Sequence, residues 1–283
     1  MIHYQHMDFS VIQNLLPKRD KETHKGDYGK ILLLCGSKGY TGAAALAAMG
    51  ALRTGAGVVY LGVPESIYEI EAKKLLEPVV LPMPDLDGKF SEQAIDGILE
   101  LLPKMDAVLV GPGMGVSEGT FSVTAAVLAN FKKTVILDAD GINVLSSHKY
   151  ILRDRAAPTI LTPHPGEFTR LSGSRITDRA SNAMELASDL GCVVLLKGHK
   201  TLITDGSIVY ENLTGNPGMA TGGSGDVLSG IIVSLLGQGI SPLEAAACGA
   251  WLHGAAGDLC ADEIGQYGML PQDMLMALPR LLP

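Results

Sequence analysis

One unit recurs along this chain: an unbroken apolar run, a glycine turn, then a helical pattern. Tyr28 to Cys35 contains KILLLC, followed by GSKGYTG and an alanine-rich helix from Ala43 to Thr54. Gly57 to Val63 and a short run at Val79 to Leu81 alternate with helices at Glu65 to Leu75 and Ser91 to Leu102. DAVLV ends in GPGMG before the helix Ser117 to Asn130, and TVILDAD spans Thr134 to Asp140. TILTPHPGEFTRL follows at Thr159 to Leu171, then a helix at Ile176 to Leu190 and a strand at Cys192 to Lys197. A hairpin is expected around Asp205 and Gly206, and helices at Pro242 to Ala261 and Pro271 to Leu278. Apolar runs without alternation mark strands buried on both faces, and parallel strands need helical crossovers. The pattern predicts a three-layer α/β/α sandwich with a mostly parallel central sheet. With 283 residues and no Pro/Ser-rich linker, it reads as one domain over residues 1–283.

Composition narrows the partners. The net charge is −8 without a basic run, which argues against nucleic acid. No apolar run reaches the ~18 residues of a membrane span, and MIHYQHMDFS is no signal peptide. Cys35, Cys192, Cys248 and Cys260 form no C-x-x-C pair and sit in apolar sequence, the pattern of buried thiols in a reducing cytoplasm. Residues 1–25 read as a surface helix and linker.

The most informative stretch is NPGMATGGSGDVLSG, Asn216 to Gly230. Gly222, Gly223, Ser224 and Gly225 form a bend. Val227, Leu228, Ile231, Ile232, Leu235 and Leu236 then recur at helical spacing, so a buried helix opens at Ser224 to Asp226. Free N–H groups and the helix dipole suit a phosphate there. No Gly-Lys-Ser/Thr follows, so this is not a Walker A loop. Asp226 has two readings. It is a helix-capping carboxylate, or a general base beside a transferring phosphoryl group.

Other candidates lie at strand ends, where an open parallel sheet places its ligands. Small residues from Gly42 to Ala45, including Ala43, let a ligand approach or serve close helix packing. Gly111, Gly113 and Gly115 exceed what a tight turn needs. Asp138 and Asp140 could orient a substrate or a metal-bound water, with Asp140 expected to cap the next helix. His164 lies in a turn fixed by two prolines. Lys197, Gly198, His199, Lys200 and Thr201 offer cations and donors to a nucleotide phosphate.

The ordered set GSKGYTGAA, GPGMG, LDADGIN, LTPHPGE, LLKGHKT and NPGMATGGSGDVLSG resembles the ADP/ATP-dependent NAD(P)H-hydrate dehydratases of the ribokinase-like superfamily, from about Gly29 onward. Gly141 departs from it, since Ala is the usual residue in LDADALN. The resemblance implies that Ala43, Gly113, Gly115, His164 and Asp226 contact the hydrated nicotinamide nucleotide NADHX or NADPHX. It implies that Lys197 to Thr201 and Gly225 contact ADP or ATP, and that Gly222 to Gly225 form an anion hole. Asp226 would be the catalytic base, with Mg²⁺ bridging the phosphates. A cytoplasmic homo-oligomer, with a tetramer possible and an NAD(P)HX epimerase as functional partner, is also implied. The alternative is a ribokinase-like vitamin kinase acting on hydroxymethylpyrimidine or hydroxyethylthiazole through the same Asp226.

Overall fold

A computed structural model describes residues 2–16 and 18–283. Its frame is a ten-stranded sheet in the order β1-β12-β11-β10-β9-β8-β7-β2-β3-β4. The strands nearest the middle are β2 (Lys30–Leu34), β7 (Ala107–Val110), β8 (Val135–Leu137), β9 (Thr159–Leu161) and β10 (Val193–Leu196). With β3 (Val58–Pro64) and β4 (Val79–Met83) they pair in parallel. β11 (Leu202–Thr204) runs antiparallel to β10 and to β12 (Val209–Glu211). This is the expected hairpin, and Asp205 closes it by accepting from the N–H groups of Ser207 and Ile208, each at 2.9 Å.

The apolar runs are buried on both faces because successive side chains enter different layers. Ile31, Leu33, Leu109, Ile136, Ile160 and Leu195 face one core. That core holds α2 (Thr41–Arg53), α10 (Ser224–Gly237), α11 (Pro242–Ile264) and α12 (Pro271–Ala277). Leu32, Leu34, Val108, Leu137, Leu161 and Val194 face the other. There they meet α4 (Ile95–Leu101), α5 (Glu118–Asn130), α8 (Pro165–Ser172) and α9 (Arg179–Leu190). The three-layer sandwich is as expected. α3 (Glu65–Lys74) lies between β3 and β4 in sequence.

Some elements have no counterpart in the sequence reading. β1 (Tyr4–Gln5) pairs in parallel with β12, so part of the expected surface linker is an edge strand. β5 (Asp85–Leu86) and β6 (Lys89–Phe90) form a separate hairpin through Asp87 and Gly88, both at positive φ. Short helices α6 (Asp140–Asn143) and α7 (Tyr150–Arg153) fill the segment after β8. Helix α1 (Phe9–Leu15) fits the expected surface helix, while Met1 and Pro17 lie outside the described residues. The helix expected from Ile176 starts later, at Arg179, because Asp178 caps it through Ser181 N–H.

Strand order reverses direction at the β2/β7 boundary. From β2 the chain builds outward through β3 and β4, and then returns to β7 on the opposite side. The crevice at such a switch point is where open parallel sheets bind ligands. All four cysteines are buried and free. Among the described residues no helix is long and apolar enough to cross a membrane.

Candidate active site

The loops after β2 and β7 are tied together at the switch point. Gly36 N–H donates to Pro112 C=O at 2.8 Å, and Ser37 Oγ donates to Gly113 C=O at 2.7 Å. The glycines of GPGMG have packing causes as well as a place near a ligand. Gly111 has φ +131°, and a Cβ there would meet the Asp138 carbonyl at 1.8 Å, so only glycine fits. Gly113 packs against Ala43 and Tyr40, and Gly115 against Lys89 of the unforeseen hairpin. Ala43 and the bend are therefore neighbours.

Asp140 was expected to cap its helix, and it does not. α6 begins behind Ala139, whose own φ is +48°, with no side-chain cap. Asp140 Oδ2 accepts instead from Gly115 N–H at 2.8 Å and fixes the GPGMG bend. Ala139 is a non-glycine residue in a strained conformation. That kink separates the work of the two carboxylates beside it, because Asp138 turns to a different partner. Asp138 is buried, and its Oδ1 accepts from Thr162 Oγ1 at 2.8 Å and Lys197 Nζ at 2.9 Å. Gly141, the departure from the usual motif, lies against β7, where a Cβ would meet the Val110 carbonyl at 2.5 Å.

The glycine run opens α10 as expected. Gly223 is the N-cap at φ +95°, a conformation that L side chains rarely adopt, and it offers no side-chain cap. The first α-helical bond of this turn runs from Val227 N–H to Gly223 C=O at 3.2 Å. The N–H groups of Gly225 and Asp226 ahead of it are orphan donors of a helix start. The Ser224 N–H contributes less, since it already leans on Thr221 C=O at 3.4 Å.

Asp226 stands in this first turn. Burial pushes its carboxyl pKa up to about 7; Asp138 and Asp140 push the same way, and Lys197 partly opposes them. Lys197 does not point out of its turn like a solvated lysine. Its Nζ pairs with Asp138, lies 3.9 Å from Glu167, and would be 3.3 Å from a Cβ on Gly225. Burial acts to lower the Lys197 pKa, but Asp138 and Glu167 outweigh it and hold the ammonium charged. The turn therefore gathers a base half-ionised near neutral pH, a fixed cation and free N–H donors.

Beside this point Gly198, His199 and Lys200 are exposed and Thr201 is half-buried. Arg179 shapes the segment by donating to the carbonyls of Leu196, Lys197 and His199. Lys200 has φ +54° and sits 3.6 Å from Glu211, while Thr201 Oγ1 donates to Gly198 C=O at 2.9 Å. His164 is the N-cap of α8. Its Nδ1 accepts from Gly166 N–H at 3.0 Å and Glu167 N–H at 3.4 Å, which leaves the neutral ring's proton on Nε2, 3.3 Å from Glu167 Oε1. The ring is half exposed, so one face remains open.

Sequence reasoning missed Thr162, Glu167, Arg179 and Lys89. Nothing local marks Thr162 or Arg179, while Glu167 stands three residues after His164 in a capping-box pattern. The Asp87-Gly88 pair is a legible hairpin signal that places Lys89 at the start of the strand after the turn.

Among the described residues no group of three or more His, Cys, Asp or Glu side chains could hold a metal ion. Scattered carboxylates of this kind suit a magnesium ion bound mainly by phosphate oxygens and water, with one or two protein ligands.

The family model for NAD(P)H-hydrate dehydratases matches residues 31–280. The chain belongs to that family. It is 44% identical to a bifunctional NAD(P)H-hydrate repair enzyme of Moorella thermoacetica, over 94% of this chain and 52% of that one. The chain thus spans about half the length of the curated relatives it matches first. An ADP-dependent (S)-NAD(P)H-hydrate dehydratase of Neisseria meningitidis serogroup B is 38% identical, over 87% of this chain and 82% of that one. The crystal structure of the Bacillus subtilis ADP/ATP-dependent NAD(P)H-hydrate dehydratase, co-crystallised with ATP/Mg²⁺, superposes with a TM-score of 0.85. Identity there is 34%, with 97% of this chain and 96% of that chain covered. Arabidopsis thaliana ribokinase shares the fold at a TM-score of 0.60 and 17% identity, over 89% of this chain and 98% of that one, a likeness of fold alone.

Proposed function

We propose that this chain dehydrates the S-epimer of NADHX or NADPHX at the expense of ADP or ATP, regenerating NADH or NADPH. The observation that carries this reading is Asp226, with its raised pKa, in the uncapped first turn of α10 beside Lys197. Asp226 takes the proton of the C6 hydroxyl as that oxygen attacks the terminal phosphoryl group. The bond from phosphorus to the leaving nucleotide breaks, releasing AMP or ADP with its electron pair. The N–H groups from Gly222 to Asp226 and the Lys197 ammonium stabilise the negative charge that develops. The ring nitrogen's electron pair then expels phosphate from C6, and a proton leaves C5. A magnesium ion supplies further neutralisation of phosphate charge when the nucleotide is bound. Asp138, whose Oδ2 neither Thr162 nor Lys197 engages, would be a carboxylate available to hold it.

The nicotinamide nucleotide then lies over Ala43, Gly113, Gly115 and His164, and the adenine nucleotide along Lys197 to Thr201 and Gly225. Within this reading the chain acts as one unit over residues 1–283, as a cytoplasmic homo-oligomer served by an epimerase that supplies the S-epimer. Incubation with NADHX and ADP, followed by NADH absorbance and phosphate release, tests the reaction. Phosphorylation of a hydroxymethylpyrimidine or hydroxyethylthiazole without NADH formation would instead make the chain a vitamin kinase.

A further inference from the structure

Helix α10 opens without a side-chain cap, as α2, α3, α4 and α11 also do. α1, α5, α8 and α9 begin at Asp8, Ser117, His164 and Asp178, whose side chains each accept from their own first turn. α10 begins at glycine, so its turn has no such lock. The nearest side chain able to supply one is Ser224. Its hydroxyl is held from outside, with Oγ 3.2 Å from Nε2 of His253 on α11. Ser224 is buried at 7% exposure. Burial and the Lys197 charge push the His253 pKa down to about 4 against a hydrogen bond to the Ser224 backbone, so the ring is neutral near pH 7.

A half-buried imidazole near a cation costs less when its nitrogen is paired, and here the pair is with the anion-hole serine. A serine hydroxyl freed at a helix start competes for the backbone donors of its own turn. Held by His253, Ser224 leaves those donors free. Asp226 follows two residues later, roughly 200° round the helix, so a turn anchored on the α11 side presents the carboxylate elsewhere.

We propose that His253 is a positioning residue for phosphoryl transfer: through Ser224 Oγ it fixes the first turn of α10 and thereby aims the N–H groups and Asp226. This rests on the reading of Asp226 as the base. His253 itself touches no reacting atom.

The test compares His253→Phe, which keeps ring shape without the hydrogen bond, with His253→Gln, which returns a polar group near the Nε2 position. Ser224→Ala and the double variant complete a cycle. His253→Phe and Ser224→Ala should each lower kcat for NADHX by about tenfold, and the double variant should be no worse, because both remove one hydrogen bond. ADP affinity by calorimetry should stay within about twofold, and His253→Gln should recover most of kcat. Hydrogen exchange of the amides from Ser224 to Val227 reads the same coupling without substrate. It should quicken by about tenfold in His253→Phe and less in His253→Gln. Turnover and exchange unchanged in His253→Phe overturn the proposal. So do losses that multiply in the double variant, or equal losses in Phe and Gln variants with equally lowered melting temperatures. If the parent enzyme does not convert NADHX, the proposed reaction falls, while the exchange result still decides the role of His253.

Discussion

Helices α8 and α10 both open at the edge of the same crevice, and they open in contrary ways. α8 is closed by its own side chains. His164 Nδ1 takes two N–H groups of the first turn, and Glu167 Oε2 accepts from His164 N–H at 2.8 Å, completing a capping box. α10 has glycine where α8 has histidine, and its acid, Asp226, is raised in pKa rather than spent on a cap. A capped start is a finished structural joint. A glycine-led start keeps donors and dipole for a ligand, at a stability cost of roughly a few tenths of a kcal/mol. α2, α3, α4 and α11 are uncapped as well, so the open start marks α10 only together with Asp226 in its first turn and Lys197 beside it.

The largest effect should come from denying the open turn its acceptor. Ala43→Trp fills the surface between α2 and Gly113, and should abolish NADHX turnover while ADP still binds by calorimetry. Intact conversion would place the dinucleotide elsewhere and favour a small-acceptor kinase.

Asp226→Asn should lower kcat by roughly 10²-fold or more, the scale of general-base catalysis, with ADP binding largely kept. Near-normal turnover would return Asp226 to an α8-like structural role. The sign with pH follows from the raised pKa. The base works when deprotonated, so kcat/KM of the parent should rise as pH increases through about 7. Ionising a carboxyl whose folded pKa lies above its ordinary value costs the folded state stability as pH climbs through that window. Asp226→Asn should therefore melt higher than the parent at about pH 8, and the difference should shrink toward about pH 4.

Removing the cation should be the next largest change. Lys197→Ala leaves Asp138 buried without its partner, a loss of about 3 kcal/mol or more read in thermal melts. It should also weaken ADP more than NADHX in calorimetry; unchanged ADP affinity would count against the nucleotide segment. Because Lys197 lowers the Asp226 pKa, Lys197→Met should move the rising limb of the pH profile to higher pH. A limb that stays in place would uncouple the two groups.

The smallest effect sharpens the α8 side. Asn is as good a helix cap as most residues, so His164→Asn should leave the melting temperature unchanged. If the open face of the ring also touches substrate, the KM for NADHX should rise roughly two- to tenfold. An unchanged KM would leave His164 as a cap alone.

Much of this architecture is legible in the order of the residues. Unbroken runs such as KILLLC and DAVLV, short and bounded by glycine, read as strands covered on both sides, so the layered sheet follows from the pattern. The opening of α10 follows from glycines meeting a helical repeat, and Asp226 follows from that opening. The β5–β6 hairpin is readable too, from Asp87-Gly88. β1 is not, because two residues carry no period and its pairing with β12 joins ends of the chain far apart in sequence.

By itself, then, the sequence determined the fold class, the order of the elements and the turn at which an anion would find free donors. These depend on local periodicity and on backbone freedom, which neighbouring residues specify. Tertiary structure alone decided what surrounds that turn. Lys197 is brought to Asp138 across 59 positions and His253 to Ser224 across 29, because β10, β8, α10 and α11 meet at one end of the sheet. The charge that raises Asp226, the cation that restrains it and the imidazole behind its helix act through distances of a few ångströms. Only the packed chain sets those distances, so only the packed chain turns a glycine-led helix into a site with a base near neutrality.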